Sequence, residues 1–167
     1  MSQAVSNTSP LTNLAVIGRL DLVRSQMADV AVPEAVWQEI LALPHRDGRL
    51  ALLTARKDGW LHVISLADRA LALSLQIAGL DLGETEAIAL AIQTTAPLLL
   101  IDERKGRAAA RRLGVTVIGA LAIIAAARKS GAIPSAKAEI DRLRSEAGFF
   151  VSRDVEAHTL RLAGDLP

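Results

Sequence analysis

The chain has 167 residues, of which 51% are apolar and only 2% aromatic, and its formal net charge is +1. That length fits one domain, residues 1–167, with a real hydrophobic core. The charge limits any basic footprint to a local patch, the scarcity of aromatics argues against a base-stacking RNA binder, and the absence of cysteine excludes disulfides, thiolate zinc sites and cysteine nucleophiles.

Short apolar runs alternate with helical periodicities along the chain. "QAVS" (3–6) reads as a strand, followed by a helix over "SPLTNLAVIG" with Ser9 as N-cap and Pro10 in its first turn. "DVAV" (29–32) is a second strand, and Pro33 opens a helix over "PEAVWQEILAL". Residues 50–57 continue helical, and "WLHVIS" (60–65) is a third strand. Two helices follow, "LADRALALSLQIAG" ended by Gly79 and "LGETEAIALAIQTT" stopped by Pro97. "LLLI" (98–101) is the strongest strand, apolar on both faces as a central parallel strand should be. A basic helix, "ERKGRAAARRLG", leads to a fifth strand, "VTVI". The C-terminal third is all helical: "ALAIIAAARKSG", "SAKAEIDRLRSEAG" and "SRDVEAHTLRLAG".

This alternation predicts a three-layer α/β/α domain with a mostly parallel five-stranded sheet. Its right-handed crossovers bring the strand C-termini to one edge, where ligands of open α/β sheets bind. The start of the chain, "MSQAVSNTSP", lacks the basic and apolar segments of a signal peptide. The longest apolar run, "GALAIIAAA" (119–127), is far below the ~20 residues of a membrane span. A soluble, cytoplasmic protein that does not engage membranes is expected.

Several acids fall at that sheet edge. Asp102 and Glu103 follow "LLLI" directly. Glu84 lies in the first turn of a helix whose Ala87, Ile88 and Ala91 mark the buried face, which puts Glu86 opposite, in solvent. Glu39 shares its helix with apolar Ala35 and Val36 and is expected to point inward, and Asn7 lies just past the first strand. Converging oxygen donors of this kind suit magnesium or manganese, which activates water and stabilises charge on a transferring phosphate. Arg104 and Arg107 are placed to hold a phosphate, whereas Arg111 and Arg112 read as a solvated helix face. His45, His62 and His158 match no metal spacing, no phosphate-cradling glycine loop is present, and Ser9 has no nucleophile-elbow context.

With these residues in view, "VSNTSPLTNLAVIGRLDLV", "VAVPEAVWQEI", "LDLGETEAIALA" and "LLLIDERKGRAAARRLGVTVIGALAIIAAARKSG" together resemble the PIN-domain family. The prokaryotic branch related to the ribonuclease toxins of toxin–antitoxin pairs (VapC-like) is the nearest, and the resemblance extends to "GFFVSRDVEAHTLRLAGD". It implies a metal-dependent ribonuclease with Mg2+ or Mn2+ as cofactor and RNA as substrate. Its quartet of acids maps onto Asn7, Glu39, Glu84 and Asp102, with Glu103 as accessory or alternative to Asp102, and Ser9 as the small hydroxyl residue near the first position. A small antitoxin protein and a homodimer are further implications. The apolar load of "LALSLQIAG" and "GALAIIAAA" also suggests a dimer.

Asn7 departs from the family pattern, in which most members carry aspartate. An amide oxygen still ligates a hard cation, but without charge. That motivates a second expectation, a PIN-like module that binds RNA or protein without cleaving. A receiver-like phosphoacceptor ranks last, because "VTVIGAL" offers no lysine to accompany Asp102.

Overall fold

Each apolar run resolves into a strand of two or three residues whose alternate side chains enter different cores. The structure is a computed structural model describing residues 4–165; Gln3, part of the expected first strand, lies outside the described residues. In chain order the elements are β1 (Ala4–Ser6), α1 (Thr8–Val16), α2 (Asp21–Met27), β2 (Val30–Val32), α3 (Glu34–Leu41), α4 (Arg46–Lys57) and β3 (Leu61–Val63). Then come α5 (Ala70–Ile77), α6 (Leu82–Gln93), β4 (Leu99–Leu100), α7 (Arg104–Arg112), β5 (Val117–Ile118), α8 (Ala120–Lys129), α9 (Ala136–Ala147) and α10 (Arg153–Ala163).

The five strands form one sheet in the order β3-β2-β1-β4-β5, and all four pairings are parallel. The expected three-layer α/β/α architecture is therefore found, with a wholly rather than mostly parallel sheet. Ala4, Val30, Val32, Leu61 and Leu100 join a large core with α1–α4 and α8–α10. Val5, Ala31, Leu99 and Ile101 join a smaller core on the other face, against α6 and α7. Strands buried on both sides explain why the sequence showed apolar runs rather than alternation. Each fully buried Val, Leu or Ile there contributes roughly 1.5–3 kcal/mol.

The central strand is β1, not the "LLLI" strand. The chain lays β2 and β3 on one side of β1, then returns past it to place β4 and β5 on the other. The strand order thus reverses between β1 and β4, the position at which open α/β sheets form a crevice.

Local details also differ from expectation. Helix α1 begins at Thr8 with Asn7, not Ser9, in the N-cap position. Helix α4 begins four residues early, because the His45 ring accepts from the Gly48 N–H at 3.0 Å and caps it. Helix α2, with seven residues, gave no periodic signal long enough to read. The apolar face of α8 is not spare: Ile123, Ile124, Ala125 and Ala127 are buried in the large core with α9 and α10. On α5, in contrast, Leu73 and Ile77 are exposed, as is Leu82 at the start of α6. No helix among the described residues is long and apolar enough to cross a membrane.

Candidate active site at the strand ends

The reversal between β1 and β4 fixes where the polar groups meet. Asn7 follows β1 directly, and its N–H donates to the Leu100 carbonyl of β4 at 2.8 Å. Its side chain is buried and its Nδ2 donates to Glu103 Oε2 at 3.1 Å. The Ser9 hydroxyl donates to the other oxygen of Glu103. Ser9 does not cap α1 because it lies inside the first turn, one residue past Thr8; its proton goes to Glu103, and serving a phosphate requires that bond to open. Thr8 donates to Glu39 on α3.

Glu84 belongs to a reciprocal cap at the start of α6. Its N–H donates to Asp81 Oδ1 at 2.7 Å, while the Asp81 N–H donates to Glu84 Oε2 at 3.1 Å. Asp81 is thus a further acid of the site that the sequence reading missed. The D-x-x-E spacing of a capping box was the signal available for it. Gly83, between these acids, is a near-contact point. A Cβ there would stand 2.7 Å from Glu39 Oε1 and 3.2 Å from Asn7 Oδ1, so a side chain at 83 would intrude on both donors. At Gly106 on α7, a Cβ would stand 2.8 Å from Glu84 Oε1.

Asp102 follows β4, and its Oδ1 accepts from the Ala120 N–H at the start of α8, at 2.8 Å. Arg107 lies alongside and donates to the Ile101 carbonyl at 2.9 Å. Arg104, in the first turn of α7, is exposed. All the expected site residues therefore reach one edge, although they come from four separate stretches of chain.

Among the described residues, none of the five acids Glu39, Asp81, Glu84, Asp102 and Glu103 takes part in an ion pair. Burial pushes the Asp102 carboxyl up to about 6; the charge of Glu103 adds to this, against the Ala120 N–H, Arg107 and Asn13. Glu84 is also raised, by burial first and then by Asp81 and Glu103, against its backbone hydrogen bonds. Glu39 is exposed as a residue, yet its carboxylate rests against Thr8 and Gly83. Lost hydration at that end raises its pKa, with Asp81 and Glu103 adding to the effect.

Glu86 corrects the expectation of a solvated side chain. It is buried, accepts from the Ala35 N–H at 3.0 Å and pairs with Arg69 at 3.3 Å. Helices α3 and α5 cover the side of α6 that a lone helical wheel leaves to solvent. Glu86 thereby fixes the first turn of α3, the helix that carries Glu39.

Two oxygens of the cluster are buried without a hydrogen-bond partner among the described residues, Asn7 Oδ1 and Asp102 Oδ2. Orphaned acceptors of this kind are costly unless something electropositive meets them. No group of three or more His, Asp or Glu side chains among the described residues is by itself gathered tightly enough to hold a metal. The donor set that fits a hard cation is a mixed one, an amide oxygen with carboxylates from separate elements.

A family model described as DUF3368, a PIN domain, matches residues 3–165. No curated protein matches the chain.

Proposed function

Because the chain belongs to the PIN-domain family, we propose that it is a metal-dependent ribonuclease hydrolysing RNA phosphodiesters at the β1–β4 edge. One observation carries this reading: unpaired acids and two orphaned buried oxygens converge where the strand order reverses. PIN domains generally use divalent cations. Asn7, Glu39, Glu84, Asp102 and Glu103 would hold Mg2+ or Mn2+ here, and such a cation supplies Lewis-acid charge and a more acidic water.

The chain's own residues do the rest. Ser9 and Asn7 Nδ2 hold Glu103 in one orientation, the Asp81 N–H holds Glu84, and Thr8 holds Glu39. Asp102, with its pKa near 6, is mostly ionised at neutral pH and so serves as an acceptor. Arg104 and Arg107 neutralise phosphate charge on the flank facing α7. The test is Mn2+ calorimetry on the wild type, Asp102→Asn and Glu84→Gln, followed by cleavage of single-stranded RNA. Full metal-dependent cleavage in both variants would sink the proposal.

A second reading, a binding module that does not cleave, is favoured by Asn7. It brings no charge, and its amide is engaged with Glu103. Asn7→Asp discriminates: a strong gain in both metal affinity and cleavage supports a nuclease limited at this position, whereas tighter metal binding with no cleavage supports the silent module. We extend the first reading to a toxin role, in a cytoplasmic setting. The exposed Leu73, Ile77 and Leu82 support a partner-covered face, for an antitoxin or a second copy. Size measurement of the purified chain, alone and co-expressed with the product of an adjacent small reading frame, tests it.

A further inference from the structure

Beside Asp102 the edge opens into a groove of about 620 Å³ between α7, α8 and α10. Its size falls in the ~300–1,000 Å³ range of sites that take organic ligands. One wall is a stripe along α7. Arg104, Arg107 and Arg111, three and four residues apart, share a face because Gly106, Ala109 and Ala110 are buried toward the sheet. Among the described residues none of these three guanidiniums is in an ion pair; Arg107 is tied to the Ile101 carbonyl, and Arg104 and Arg111 are exposed. Arg111, read from the sequence as part of a solvated helix face, is exposed and lines this groove.

The facing wall is apolar and includes Leu121 of α8, Leu162 of α10 and the pair Phe149–Phe150. Phe149 packs on the large core, whereas Phe150 is 88% exposed. These are the chain's two phenylalanines, and both tryptophans, Trp37 and Trp60, are buried. Composition argued against base stacking, but stacking needs a ring in the right place rather than many rings. Here the one exposed phenylalanine, with the exposed His158 ring on the same groove, stands across from a row of arginines outside any ion pair among the described residues.

Cations that track a backbone, opposite a ring that takes a base, are the two components of single-strand recognition. A peptide would match the charge only by being acidic, whereas any RNA strand carries that charge along its backbone beside its bases. We propose that this groove holds a single-stranded RNA segment leading to Asp102, with phosphates against Arg104, Arg107 and Arg111 and one base stacked on Phe150. The proposal rests on the ribonuclease reading for the end point of the strand, not for the groove's chemistry.

The experiment is anisotropy of a labelled mixed-sequence single-stranded RNA in EDTA, where no cleavage occurs, at several salt concentrations. Phe150→Ala is expected to weaken binding roughly 5- to 150-fold, the range of base–aromatic stacking. Phe150→Trp is expected to stay near wild type. Leu50→Ala, an exposed apolar residue on α4 outside the groove lining, is expected to leave binding unchanged. Arg111→Ala should lower the slope of log affinity against log salt by about 0.7, one phosphate contact on a single strand. Phe150→Ala within twofold of wild type, or equal affinity for the same RNA as a duplex, overturns the proposal. So does loss of a co-expressed protein partner in Phe150→Ala with RNA binding intact, which would make the groove a protein interface. The two readings separate cleanly: metal-dependent cleavage with Phe150-independent binding removes the groove alone. Phe150-dependent binding with no cleavage removes the nuclease alone.

Discussion

Along the outer helices α9 and α10, Glu139, Asp141, Glu146, Glu156 and Asp165 each meet an arginine or lysine. At the β1–β4 edge, Glu39, Asp81, Glu84, Asp102 and Glu103 meet hydroxyls, amides and one another. The residue types are the same, and the neighbours make the difference. Hydrogen bonds from Arg142 and Arg144 hold Glu146 and Glu156 below the ordinary carboxylate range. Burial and like charge lift Glu39, Glu84 and Asp102 above it. Acids paired with cations serve the fold. Acids assembled without them hold negative potential in reserve for a cation or a charged reaction, at a cost in stability.

The largest effect expected from this contrast is on the paired side. Glu139 is buried and accepts from Arg19 at 2.6 Å and from Arg142 at 3.2 Å. Glu139→Ala removes both bonds, and denaturation should show a loss of about 3 kcal/mol. On the unpaired side the same class of change should act in the opposite direction. Asp102→Asn is expected to weaken Mn2+ binding by ~100-fold or more, since even outer partners of a metal ligand are worth 10–100-fold. The variant should nevertheless be more stable than wild type at pH 7.5, by on the order of 2 kcal/mol after discounting for partial exposure. If both substitutions destabilise alike, the contrast between the regions fails.

The pH dependence has a definite sign. The folded pKa of Asp102 is about 6, above the unfolded value near 3.8. The folded state therefore binds more protons between those values, and stability contributed by this group falls as pH rises through the window. Metal affinity should move the other way, rising from pH 5 to 7 as the carboxylates ionise. Chemical denaturation and calorimetry across that range test both, and Asp102→Asn should flatten the stability curve.

Gly83→Ala sharpens the comparison without altering any charge. Its Cβ intrudes on Glu39 Oε1 and Asn7 Oδ1, so Mn2+ affinity should drop about tenfold while the melting temperature stays near wild type. The smallest effect belongs to the paired surface. Lys137→Ala, which breaks exposed contacts with Asp141 and Glu156, should cost less than about 1 kcal/mol in a denaturation assay.

Much of the site was legible because its residues carry local signals. Asp102 and Glu103 end an apolar run, Glu84 sits in a first turn, and Asn7 follows a strand. Each signal depends on position within one element, which a sequence displays. Glu86 was read wrongly for the complementary reason, and Phe150 carried no signal of its own. A helical wheel shows one helix, and Glu86 is buried by two others, α3 and α5. Composition counts aromatics but does not show that Phe150 is exposed across a groove from the α7 arginines.

The sequence by itself determined the alternation of strands and helices, the parallel sheet and the acids at its strand ends, because periodicity and chain order are local properties. It also carried enough motif to mark the PIN-domain family. Tertiary structure decided that β1 and not β4 is central, that Asp81 joins the acids, and that Ser9 serves Glu103. It also left the α7 arginines outside any ion pair among the described residues, while those of α9 are paired. Each of these depends on which distant segments meet, and a charge is structural or functional according to the partner it finds there.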